Sequence, residues 1–96
     1  MYKSYAIKFI ERIRTDIRPL IAPALNSSQD VDHFRDKMQL RLLYQNLNNV
    51  ADDIAKEEVV CRYKKTRTSR HVRLCQQADE AFENLRQLAV QFNLSH

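Results

Sequence analysis

The densest chemistry in the chain lies in residues 62–73, where Arg62, Lys64, Lys65, Arg67, Arg70 and Arg73 bring six bases and no acid. Tyr63 stands between the first two bases, and Thr66, Thr68 and Ser69 add hydroxyls. Arginine offers a planar fork of donors that matches carboxylate and phosphate, and lysine offers a mobile point charge. Such a cluster suits an acidic groove on another protein. It equally suits a nucleic-acid backbone, where Lys, Arg and hydroxyl groups contact phosphates. Without a helix-turn-helix or another reading module, contact with nucleic acid is expected to be independent of base sequence. The plainest alternative is a solvated turn whose charge keeps the protein in solution. Residues 30–61 carry four bases against seven acids, and residues 74–96 carry one against three. The net charge of +4 therefore rests on this one patch.

Other combinations are weaker. His71 and Cys75 are spaced i,i+4, and Cys61 lies on the preceding helix, which raises the question of a metal. Zinc wants four ligands and no obvious fourth is near, so both cysteines are expected to act as small apolar residues, with no metal and no cofactor. Asp52, Asp53, Glu57 and Glu58 are expected to form a solvated acidic face, because the Glu-x-x-His pairs of helical di-iron sites are missing. His33, His71 and His96 give no nucleophile–base arrangement. In helical ribonucleases an Arg and a His are separated by four to six residues. Arg67 is too close to His71 to meet that spacing, and Arg62 is too far. No enzymatic activity is expected.

The elements that position these residues follow from composition and periodicity. The 96 residues include no glycine, where average usage would supply about six or seven. Tight hairpins, β-bulges and phosphate-binding loops all draw on glycine for positive φ, so an all-α fold is expected. A composition of 44% apolar and 29% charged residues is too apolar for disorder. Two cysteines without a secretory signal, and no apolar run near the roughly 20 residues needed to span a bilayer, point to a cytoplasmic protein with no membrane partner.

A first helix is predicted over about residues 4–18, with Tyr2, Ala6, Phe9, Ile13, Ile17 and Leu20 on its apolar stripe and Tyr5, Ile10 and Ile21 widening it. Pro19 should stop or kink it at Arg18. Ser27 and Asp30 have the form of a capping box, and a second helix is predicted over about 29–65. Its apolar face starts at Val31, Phe34 and Met38. It then follows a heptad through Leu40, Leu43, Leu47, Val50 and Ile54 towards Glu57 and Cys61, with Leu42 and Ala51 broadening it. Thr66, Thr68 and Ser69 offer cap hydroxyls at a tight break. The third helix, about 70–93, has the most regular pattern: Leu74, Ala78, Ala81, Leu85, Leu88 and Phe92, flanked by Cys75, Phe82 and Ala89.

One domain, residues 1–96, is therefore expected to be an all-α three-helix bundle dominated by a long antiparallel hairpin. The flank of the third helix is left unmatched, and a homodimer completing a larger bundle would cover it. Function is expected to be regulatory or adaptor-like, through contact with a protein partner at Arg62, Tyr63, Lys64, Lys65, Arg67, Arg70 and Arg73. Nucleic-acid binding by the same residues is the alternative.

Overall fold

The computed structural model describes residues 4–26 and 34–95. These residues form α1 (Tyr5–Arg12), a π-helical turn (Ile13–Ile17), α2 (Arg18–Asn26), α3 (Phe34–Lys64) and α4 (Ser69–Ser95), with no strand among them. The first three run on as one rod, so three helical bodies pack side by side in a molecule of 51 × 22 × 19 Å. The rod leads away from the α3–α4 turn, α3 returns to it, and α4 leads away again. Contacts mark this path: Ser4 meets Glu58 near the turn, while Asn93 Nδ2 donates to the Leu20 carbonyl at the other end, 3.1 Å away.

Residues 19–25, which could also be read as a short extra turn of helix, continue the rod. Of the stop or kink expected at Arg18 the stop does not occur, because the turn before Pro19 is widened. Pro19 has no N–H for the Thr15 carbonyl, and its ring would press against that oxygen in a regular α-helix. In the π turn the Arg18 N–H bonds to the Ile13 carbonyl, five residues back, and the crowding is relieved. The same turn keeps a stripe in line. Phe9, Ile13, Ile17 and Ile21 are all buried and all four apart. On a regular helix each such step drifts by about 40°, and one wide turn absorbs much of that drift.

The antiparallel hairpin of α3 and α4 is as expected, and its core lies at Leu40, Leu47, Ala51, Ile54, Leu74, Ala78 and Leu85. Two corrections concern α3. Phe34, Met38 and Leu42 are exposed and do not begin the buried face. The buried line runs through Ala51, Ile54 and Glu58, leaving Leu43 and Val50 half-buried at its margin. Val31, the capping box and the predicted start near residue 29 lie outside the described residues.

On α4 the expected flank is as deeply buried as the seam. Cys75, Phe82 and Ala89 face the N-terminal rod, with the Phe9 and Phe82 ring centroids 5.9 Å apart. The Arg12 guanidinium lies over the Phe82 ring at 4.3 Å, and Tyr5 stacks on Phe9. The edge read as unmatched is covered from within the chain, so the stated reason for a dimer falls away.

Candidate recognition site at the hairpin tip

Helix α3 ends without a glycine. Lys65 takes a left-handed conformation, φ 56°. The Thr66 N–H bonds to the Cys61 carbonyl at 3.1 Å and the Lys65 N–H to the Arg62 carbonyl at 3.3 Å. These are the paired bonds of a Schellman ending, a position that normally prefers glycine. Thr68 then caps α4. Its Oγ1 accepts the His71 N–H at 3.1 Å and donates to Glu57 Oε1 at 2.7 Å. Glu57 also holds Arg70, Nε to Oε2 at 3.5 Å. The turn is fixed on both sides by these bonds.

The six bases singled out in the sequence divide into two groups. Arg67 and Arg70 are partly committed inward, to His71 and Glu57. Arg62, Lys64, Lys65 and Arg73 are exposed and belong to no ion pair among the described residues. Tyr63 is 88% exposed on the same turn of α3.

Below the tip is a polar network that the acidic-face reading missed. Glu58 is only 8% exposed and His71 only 2%. The Glu58 carboxylate accepts Ser4 Oγ at 2.5 Å, the Tyr5 N–H at 3.0 Å and the Ala6 N–H at 3.4 Å. It thereby caps α1 across a gap of 54 residues, at the end where the helix dipole favours an anion. Ser4 Oγ also accepts the Ile7 N–H at 3.3 Å, completing the local cap. Arg67 Nε donates to His71 Nδ1 at 3.0 Å, so the ring proton sits on Nε2, which faces Glu58 Oε2 at 3.9 Å.

Glu58 could have been found in the sequence: it lies eighteen residues after Leu40, which is five full turns of α-helix. Asp52 is exposed, as the solvated-face reading expects. Glu57, half-buried and engaged at the turn, is not.

Cys75 Sγ lies 3.8 Å from His71 Nδ1, and burial pushes its thiol up against the lowering influence of Arg67. Cys61 Sγ lies 3.7 Å from Thr68 Oγ1 instead. No group of three or more His, Cys, Asp or Glu among the described residues is placed to hold a metal ion. On the next turn of α4, Tyr5 Oη donates to Asp79 Oδ1 at 2.5 Å, and Arg12 pairs with the same oxygen at 3.7 Å. Burial first and the Asp79 carboxylate second raise the Tyr5 phenol well above its ordinary range.

No helix among the described residues is long and apolar enough to cross a membrane. No family model, curated protein or solved structure matches the chain.

Proposed function

We propose that this chain is a non-enzymatic regulatory or adaptor protein that docks its hairpin tip on an acidic surface of a protein partner in the cytoplasm. The observation that supports this reading is the fixed tip, where Arg62, Lys64, Lys65, Arg73 and Tyr63 are exposed and the four bases belong to no ion pair among the described residues. The backbone of a turn already held by the Schellman bonds and by Thr68 loses little freedom on binding. Tyr63 adds a large amphipathic contact of the kind that anchors interfaces.

Affinity capture from the native host, run beside an Arg62→Ala, Lys64→Ala, Arg73→Ala triple variant, tests the reading. A partner with an acidic surface should be retained by the natural chain and lost by the variant. Equal retention by both overturns it. The rival is sequence-independent nucleic-acid binding, for which Tyr63 among cations gives a stacking platform. It requires binding to generic DNA or RNA whose logarithm falls steeply with log salt. Absence of binding at low salt removes the rival.

Self-association is a separate part of the proposal, and its surface is Phe34, Met38 and Leu42, four apart and exposed on α3. Light scattering should then give about twice the 11.4 kDa chain mass. A monomer mass at high concentration removes the dimer.

A further inference from the structure

A groove of about 720 Å³ runs between α1 and the C-terminal third of α3 and ends against the α3–α4 turn. Its volume falls in the roughly 300–1,000 Å³ range of small-molecule sites. Ile7 and Ile10 of α1 and Ala55 of α3 form apolar walls, and all three remain exposed to solvent. At the tip end Arg62, Thr66 and Arg67 line the groove. Its apolar residues and its cationic residues therefore lie towards opposite ends.

Among the described lining residues the only acid is Glu58, and it is engaged within the fold. Both of its oxygens accept bonds from the N-terminus of α1, and His71 faces it from α4. Set against Arg62 and Arg67, this one carboxylate leaves the described lining with an excess of positive charge. Apolar walls with cations gathered towards one end suit a small ligand with a single charged terminus. We propose that this groove binds a small amphipathic anion, with an aliphatic or aromatic body between Ile7, Ile10 and Ala55 and one carboxylate at Arg62 and Arg67. The site shares Arg62 and Arg67 with the tip patch, and Lys64, Lys65 and Arg73 are not in its described lining.

The test titrates the full chain with dodecanoate, beside methyl dodecanoate and dodecylammonium, using calorimetry and amide chemical shifts. Dodecanoate should bind at one site, at least tenfold more tightly than either relative, and shift the amides of Ile7, Ile10 and Arg62. Arg62→Gln should weaken dodecanoate about tenfold, the loss of one charge-assisted hydrogen bond, while leaving the ester unchanged. Ala55→Phe, at an exposed position, should fill the groove and weaken binding by a similar factor with helicity retained. If that variant loses helicity, Arg62→Gln and the shift map decide alone. Lys64→Gln should leave dodecanoate affinity intact, which separates this site from the tip reading. Equal affinity for anion and ester, shifts confined to Phe34–Leu42, or no binding in the millimolar range would overturn the proposal.

Discussion

The two halves of the bundle are held together by different physics. In the half near the tip, the rod is tied down by polar groups: Glu58 on the α1 N-terminus, His71 and Arg67 behind it, and Tyr5 on Asp79. In the half away from the tip the fully buried side chains are aliphatic, Ile17, Ile21, Leu47 and Leu85. Apolar packing is non-directional and insensitive to pH, whereas buried hydrogen-bonded charges hold one arrangement and suffer when one partner is removed. The proposed recognition surface lies at the half where directional bonds add to the packing of Phe9 and Ile54, and the half beyond it relies mainly on aliphatic packing.

The largest expected effect falls on the apolar half. Leu85→Ala, at a side chain with no exposed surface, should cost about 3–5 kcal/mol in urea unfolding, the transfer and cavity terms together. A cost below about 1 kcal/mol would mean that the aliphatic half is not the source of stability.

Glu58→Ala comes next, at about 2–3 kcal/mol, because it leaves the Tyr5 and Ala6 N–H groups and the inward side of His71 without their acceptor. Its signature should be local. Hydrogen exchange should speed up at Tyr5 and Ala6 while Ile17 and Ile21 keep their protection. Uniform loss along the rod would erase the contrast between the halves.

Tyr5→Phe should cost about 1 kcal/mol at neutral pH, through the lost bond to Asp79. The pH dependence is more telling. The folded protein holds the phenol proton more tightly than the unfolded chain does, whose value is near 10.0. The contribution of Tyr5 is therefore complete below that pH and falls as pH rises above it. Tyr5→Phe should flatten the alkaline loss of stability, though a residual slope from the raised Cys75 thiol remains. An unchanged slope would detach Tyr5 from the polar half's pH sensitivity.

The smallest effect is a gain. Lys65→Gly relieves a left-handed residue that carries a side chain and should stabilise the chain by about 0.5–1 kcal/mol, after the greater freedom of glycine in the unfolded state is allowed for. A loss of stability would show that the Lys65 side chain has a structural contact of its own.

Periodicity made the hairpin legible. Missing glycine and the pattern from Leu74 to Phe92 define α4, and the basic cluster defines the tip. What escaped had physical causes. A heptad reckoning slips by about 20° per seven residues against a straight helix. Carried from Leu40 it therefore arrives at Glu57 instead of Glu58, and the buried carboxylate passes for a surface one. Pro19 reads as a terminator because a π turn has no signature in composition. Phe34, Met38 and Leu42 read as core because apolarity alone does not say which face of a helix has a neighbour. The pairing of Glu58 with Ser4 joins residues remote in sequence, and no local spacing reports it.

That remote cap bears on the order in which the chain can mature during synthesis. The rod is made first, yet the carboxylate that fixes its leading end is the fifty-eighth residue, and the acceptor for Tyr5 Oη is the seventy-ninth. The α3–α4 pair joins neighbours in sequence and can assemble as soon as both helices leave the ribosome, because short loops close fastest. The N-terminal segment has only its local Ser4 cap until then, and settles onto a hairpin completed after it. Of the three helical bodies, the one translated before the others is the last to be secured.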